Sequence, residues 1–141
     1  MSGIPLDTNV LSELMRPRPA VEVLDWFGRQ QGASFFVSAI TRAEILLGIA
    51  QLPAGKRRAR LALGAEQMFG GEFSGRSLPF DDRCATEYAL LVASRVRQGP
   101  AISTEDAQIA AIAVTHALPL ATRNGKDFRG IEGLTVFNPW G

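Results

Sequence analysis

Cysteine and histidine are almost absent from the sequence, which contains one of each, Cys84 and His116, among 141 residues. A single cysteine excludes an internal disulfide framework. The two residues together cannot supply the several nitrogen and sulfur ligands of an ordinary zinc site. Cys84 lies in a helical pattern and is expected to be a buried structural thiol. His116, late in an apolar helical stretch, is also expected to be structural.

Long apolar runs and a strong charge of one sign are also missing. No run approaches the ~18 residues of a membrane span, and residues 1–3 do not begin a signal peptide. We therefore expect a cytoplasmic protein with no membrane partner. The formal net charge of +1 means that a phosphate-rich ligand would need a local basic patch. Arg16, Arg18 and the cluster at residues 56–60 are candidates, and a solvated helix face is the alternative interpretation.

The remaining composition, with 46% hydrophobic and 21% charged residues, is typical of one globular domain spanning residues 1–141. Short β-branched and aromatic segments predict strands at residues 3–6, 34–38, 77–80, 118–122 and 134–137. Helical periodicity predicts helices beginning near residues 8, 20, 41, 56, 82 and 107. This alternation predicts the α/β class, as a three-layer α/β/α sandwich with a mostly parallel central sheet.

The apolar spacing also predicts which helix faces are buried. In the helix at residue 41 the expected apolar stripe is Ile45, Leu46, Ile49 and Leu52, with Glu44 at its boundary. In the helix at residue 82 the expected inward residues are Ala85, Tyr88, Ala89, Leu91, Val92 and Val96.

Four carboxylates follow strands or begin helices: Asp7, Glu44, Asp106 and Asp127. Because strand ends and helix starts share one edge of such a sheet, we expect them to converge there. Carboxylates a few ångströms apart require a cation. Ligation by oxygen alone favours Mg²⁺ or Mn²⁺, and such an ion can promote hydrolysis of a phosphodiester. The sequence therefore predicts a metal-dependent nuclease site.

Each carboxylate also has a purely structural interpretation. Asp7 could cap the following helix, and Glu44 could be a solvated helical residue. Asp106 could form a capping box with Ser103, since the two residues are three positions apart. Asp127 could belong to an ordinary turn. The nuclease hypothesis depends on the joint placement of the four residues.

Polar residues adjacent in sequence to these carboxylates could hold them, or bound waters, in place. They are Thr8, Asn9, Thr122 and Asn124. Helix capping is an equally good explanation for these side chains.

Four blocks of sequence resemble the PIN-domain ribonucleases, in particular the VapC toxins of bacterial toxin–antitoxin pairs. The blocks are LDTNVLSE at residues 6–13, SAITRAEILLG at 38–48, DAQIAAIA at 106–113, and ATRN at 121–124 followed by DF at 127–128. The ending VFNPW at residues 136–140 resembles the FitB-like branch of that family.

The resemblance implies a Mg²⁺- or Mn²⁺-dependent endoribonuclease toxin with the PIN fold. Asp7, Glu44 and Asp106 match the three strongest acidic positions of the family. The fourth position varies between those of Asn124 and Asp127, and only Asp127 is charged here. The resemblance also implies an RNA substrate, a homodimer and a VapB-type antitoxin, which carries the DNA-binding domain, so that DNA is bound only indirectly.

Two other functions remain open at this stage. The same fold could be a non-catalytic binding module that acts through its antitoxin in transcriptional regulation. A phospho-accepting receiver domain is also α/β with an acidic pocket at strand ends. That class requires a phosphorylatable aspartate after a central strand and a lysine after a late strand, whereas Asp7 follows the first strand and Lys126 is only a loose match.

Overall fold

The structure, a computed structural model, describes residues 3–99 and 101–141. In these residues there are five strands: β1 (Gly3–Pro5), β2 (Ser34–Ser38), β3 (Ser77–Leu78), β4 (Leu120–Ala121) and β5 (Val136–Phe137). The same residues form six α-helices: α1 (Thr8–Leu14), α2 (Val21–Arg29), α3 (Ala39–Ala50), α4 (Lys56–Gln67), α5 (Asp82–Gln98) and α6 (Thr104–Thr115). A π-type turn at Met68–Glu72 extends α4, and a 3₁₀ turn at Gly125–Phe128 follows β4.

The strands pair in parallel, in the order β3-β2-β1-β4-β5. The two halves of this sheet meet at one bridge between Leu6 and Ala121. Beyond the bridge, the Asp7 N–H donates a hydrogen bond to the Ala121 carbonyl at 2.8 Å. The carboxyl ends of β1 and β4 therefore lie side by side, which brings the segments after them to one edge of the sheet.

Apolar residues form two clusters, which place helices on both faces of the sheet and give the predicted α/β/α layers. The larger cluster includes Leu11 of α1, Trp26 of α2 and Ile45 of α3. The smaller one contains Ile109, Ala110 and Ala113 of α6 with Leu120 and Phe128. The sheet is close-packed at its start: a Cβ on Gly3 would lie 2.8 Å from the Phe36 ring, so a larger residue in β1 would force that ring to move.

Several strands are shorter than the sequence predicts. The predicted strand at residues 77–80 is reduced to two residues in β3, and those at 118–122 and 134–137 to two residues each in β4 and β5. Helix α3 begins at Ala39 rather than at residue 41, because Ser38 is its N-cap and its Oγ accepts the Thr41 N–H at 3.0 Å. The order of the elements is as predicted.

The predicted inward faces of two helices are partly wrong. Leu46 in α3 is 43% exposed. In α5, Val96 is 74% exposed and Ala85 and Ala89 are also exposed, whereas Cys84 and Arg95 are buried. The cause is the packing of α5 against α6, which selects the stripe containing Cys84, Leu91 and Arg95 at helical spacing. No helix in the described ranges is long and apolar enough to cross a membrane.

Candidate active site

Asp7 occupies the junction between β1 and α1. It caps α1, since its Oδ1 accepts the Thr8 N–H at 2.8 Å. Its Oδ2 accepts hydrogen bonds from the Thr122 hydroxyl at 2.7 Å and from Asn9 Nδ2 at 3.3 Å. Only 4% of the residue is exposed, and this burial raises the pKa of the carboxyl group although the hydrogen bonds oppose the increase. The Asp7 side chain therefore caps α1 with one oxygen and is held in place by Thr122 and Asn9 through the other.

Glu44 projects from the second turn of α3 toward the start of α1. The Thr8 hydroxyl donates to Glu44 Oε1 at 2.6 Å and lies 3.1 Å from the Thr41 hydroxyl. The carboxylate is half-buried rather than a solvated helical side chain. The contact connects Glu44 to the residue that follows Asp7, although the two carboxylates are 37 positions apart in sequence.

Asp106 is the third residue of α6, and its N–H donates to the Oγ of the N-cap Ser103 at 3.1 Å. The predicted serine cap is confirmed. The pKa of the Asp106 carboxyl is raised to about 6, first by burial, then by repulsion from Asp7, and to a lesser extent from Asp127 and Glu44. A hydrogen bond with the Ser103 side chain lowers this pKa, but less than burial and Asp7 raise it. The structure therefore brings the four carboxylates into one electrostatic environment.

Asp127 lies in the 3₁₀ turn after β4 and is half-buried. Its charge contributes to raising the pKa of both Asp7 and Asp106. The main-chain carbonyl of Asp127 accepts a hydrogen bond of 2.7 Å from Arg95 Nη2. The following residue, Phe128, is 2% exposed and anchors the turn in the smaller apolar cluster.

The predicted supporting residues enter this network in two ways. Thr8, Asn9 and Thr122 donate hydrogen bonds from their side chains to carboxylates. Asn124 is exposed and enters through its main chain, since its N–H donates to Thr122 Oγ1 at 3.1 Å. The Asn9 Oδ1 accepts the Arg123 N–H at 3.1 Å, which connects α1 to the segment after β4.

The donor set fits a hard divalent cation in its chemistry. The charged neighbours that raise the pKa of Asp7 and Asp106 are all carboxylates, so the site concentrates negative charge on oxygen ligands. Their spacing is not that of a coordination sphere, because no three Asp, Glu, His or Cys side chains in residues 3–99 and 101–141 are arranged to hold a metal ion. Mutual repulsion between carboxylates without a cation opposes such an arrangement.

Two residues of the network were not predicted from the sequence, Thr41 and Arg95. Thr41 is fully buried next to Thr8, and its position three residues before Glu44 on the same helix was the available signal. Arg95 is 6% exposed and lies four residues after Leu91 on the inward face of α5. Periodicity places it inward, but an arginine is ordinarily interpreted as a surface residue.

A groove of about 500 Å³ begins at Thr8 and Glu44 and runs between α1, α3 and α4. Its apolar wall includes Ile45 and Ile49. Its basic lining residues are Arg16, Arg57 and Arg60, three of the basic residues that the sequence analysis singled out.

Cys84 and His116 occupy positions that agree with structural roles. Cys84 is fully buried, with its Sγ 3.7 Å from the Pro79 carbonyl. His116 is the C-cap of α6, at the opposite end of that helix from Asp106 and therefore about 15 Å from it along the helix axis.

The sequence model of the PIN-domain family matches residues 4–134, and this range contains all four carboxylates. The chain belongs to the PIN-domain family. This PIN domain is 42% identical over 137 residues to the VapC ribonuclease Y4jK of Sinorhizobium fredii, covering 97% of both chains. It is 41% identical over 137 residues to the toxin FitB of Neisseria gonorrhoeae, covering 97% of this chain and 98% of FitB.

The fold of this PIN domain is shared with a chain in the structure of FitAB bound to an IR36 DNA fragment. The TM-score is 0.89 at 40% identity, over 98% of this chain and 96% of that chain. These findings confirm the resemblance to VapC and FitB proteins and the α/β/α fold. They leave the receiver-domain hypothesis without support.

Proposed function

We propose that the protein is a single-domain endoribonuclease toxin of a type II toxin–antitoxin pair, dependent on Mg²⁺ or Mn²⁺. The observation that carries the proposal is the shared environment of the four carboxylates, in which Asp7, Asp127 and Glu44 raise the pKa of Asp106. The relatives named as VapC ribonuclease and FitB toxin support the same reaction and role.

In this proposal Asp7, Glu44, Asp106 and Asp127 hold the cation. A divalent ion held by these residues would supply activated water and would offset negative charge on the phosphate. Thr122 and Asn9 hold the Asp7 carboxylate from one side. Thr8 fixes Glu44 through the 2.6 Å hydrogen bond. These contacts hold Asp7 and Glu44 in place, so that fewer side chains have to be ordered when the cation binds.

The groove beside Glu44 supports RNA as the substrate, since Arg16, Arg57 and Arg60 can contact phosphates along its length. We further propose a homodimer, a VapB-type antitoxin partner and a cytoplasmic location. DNA would be bound only through the antitoxin. The solved structure of FitAB bound to a DNA fragment, one chain of which this protein resembles, supports an assembly that includes a protein partner and DNA.

The second candidate is a PIN-fold binding module without catalysis. The observation in its favour is that no three acidic side chains in the described ranges are already arranged around a cation position. Expression of the protein without its neighbouring genes separates the candidates. A nuclease toxin arrests growth and the Asp7→Asn variant does not, whereas a pure binding module is harmless in both forms.

The direct test is cleavage of mixed RNA by purified protein with Mg²⁺ or Mn²⁺, and in EDTA. We expect cleavage only with metal, and Asp7→Asn should lower the rate at least about a hundredfold, as expected for a group that supports charge in the transition state. Asp25→Asn, at an exposed position of α2, is the matched control and should retain full activity. Cleavage in EDTA, or by folded Asp7→Asn protein, would contradict the proposal.

A further inference from the structure

Arg95 is a buried cation on a helix that contributes none of the four carboxylates. Its side chain is on the face of α5 that packs against α6, and the residue is 6% exposed. A guanidinium group remains protonated in proteins, so its burial is costly unless acceptors surround it. One acceptor is the main-chain carbonyl of Asp127, 2.7 Å from Arg95 Nη2. This short hydrogen bond joins the last turn of α5 to the turn that carries the fourth carboxylate.

The turn at Gly125–Phe128 is held by different interactions at neighbouring residues. Phe128 is 2% exposed and packs in the cluster that also contacts Leu91, one turn of α5 before Arg95. The Asp127 N–H donates to the Asn124 carbonyl at 2.9 Å, so the turn closes on itself. The hydrogen bond from Arg95 fixes the peptide group that follows the Asp127 side chain. Loss of this anchor would leave the turn, and with it the Asp127 side chain, free to shift relative to β4.

The turn that carries Asp127 follows β4, whose carboxyl end lies beside that of β1, where Asp7 is located. The charge of Asp127 accordingly contributes to raising the pKa of both Asp7 and Asp106. In the family that the sequence resembles, the fourth acidic position varies between those of Asn124 and Asp127, and only Asp127 is charged here. A contact that fixes its main chain therefore bears directly on whether the fourth position is used.

We propose that Arg95 is a positioning residue for the metal site, which holds the Asp127 turn so that the carboxylate faces Asp7 and Asp106. The inference rests on the proposed metal-dependent function. Arg95 touches neither metal nor substrate in this role and acts only through Asp127. Outer partners of this kind change metal affinity by about 10- to 100-fold when they are removed.

The test compares Arg95→Met with Arg97→Met. Methionine retains an unbranched chain like the aliphatic part of arginine but lacks the guanidinium group. Arg97 is two residues later on the same helix and exposed, so its replacement makes the same change in charge without disturbing the turn. Mn²⁺ affinity is measured on the full chain by electron paramagnetic resonance of the free ion. We expect the dissociation constant to rise about tenfold or more in Arg95→Met and to be unchanged in Arg97→Met.

A double-mutant cycle with Asp127→Asn distinguishes positioning from a general loss of structure. Asp127→Asn leaves three carboxylates, so that Mn²⁺ binding remains measurable. If Arg95 acts through Asp127, adding Arg95→Met to Asp127→Asn causes no further loss of affinity. An equal loss in both backgrounds, or no loss in either, would overturn the proposal. If Arg95→Met does not fold, Arg95→Lys, with a shorter reach and one amine, replaces it in the same cycle.

Amide hydrogen exchange in the metal-free protein separates this inference from the proposed function. We expect exchange over residues 123–130 to be faster in Arg95→Met than in the wild type or Arg97→Met, while residues 34–44 are unchanged. If the wild type binds no Mn²⁺ and cleaves no RNA, the proposed function fails, and this measurement alone decides whether Arg95 holds the turn. Exchange that is unchanged, or faster throughout the chain, would refute it.

Discussion

Removal of the Asp106 charge should make the metal-free protein more stable. The carboxyl pKa is about 6 in the folded protein, above the ordinary value of 3.8, because of burial and repulsion from Asp7. The folded state therefore binds a proton more readily than the unfolded state, and the ionised carboxylate destabilises the fold above about pH 6. As the pH falls from 6 toward 4 this destabilisation disappears, since both states become protonated.

The magnitude follows from the size of the shift. About two pKa units correspond to roughly 3 kcal/mol as an upper limit. The side chain is partly exposed, and solvent screening reduces the figure to about 1.5 kcal/mol. Asp106→Asn also loses a favourable interaction with the N-terminus of α6, worth about 0.5 kcal/mol. We therefore expect Asp106→Asn to raise the free energy of unfolding by about 1 kcal/mol at pH 7.5.

Urea denaturation in EDTA at pH 7.5 and pH 4 measures the effect. Glu105→Gln is the matched control, because Glu105 is exposed in the same turn of α6, and its replacement should not stabilise the protein. With Mn²⁺ at about 100 times its dissociation constant the wild type gains about 2.7 kcal/mol, and Asp106→Asn should gain less. A variant less stable than the wild type at pH 7.5, or equally stabilised at both pH values, would refute the electrostatic reasoning.

Three further predictions concern the surroundings of the site. Thr122→Val removes the 2.7 Å hydrogen bond to the buried Asp7 carboxylate, and unfolding in urea should show a loss of about 1–3 kcal/mol; an unchanged midpoint would contradict this role. Ser103→Ala removes the N-cap of α6 and should cost about 1 kcal/mol by the same assay, with no loss if the cap is dispensable. Arg60→Gln in the groove should weaken RNA binding and lower its dependence on salt, whereas Arg97→Gln should change neither; equal effects would point to net charge alone.

The order of the elements and the helix caps at Asp7 and Ser103 could be predicted because both follow from local rules. Asp7 and Ser103 are helix caps whose side chains bond to nearby N–H groups, and such caps can be recognised in a few residues of sequence. The electrostatic effect of Asp7 on Asp106 follows from the parallel β–α–β connections, which place strand ends and helix starts at the same edge.

The role of Arg95 could not be predicted because it depends on tertiary packing. The apolar residues of α5 are distributed around the helix, and the sequence alone favours a face that includes Val96. Packing against α6 instead buries Cys84, Leu91 and Arg95 together. The burial of this arginine depends on a hydrogen-bond acceptor 32 residues later in the sequence, the Asp127 carbonyl. The lengths of the two-residue strands were overestimated for a related reason, since pairing with a neighbour determines where a strand ends.

The hydroxyl of Thr122 bonds to a carboxylate 115 residues earlier in the chain, and this separation determines when a working pocket can exist. A growing chain that has reached only α5 has Asp7 and Glu44 but neither Asp106 nor the segment that holds Asp7 in place. Fragments ending before residue 122 are consequently incapable of assembling the centre. Under the proposed function, catalysis therefore begins only after nearly the whole polypeptide has been made and folded.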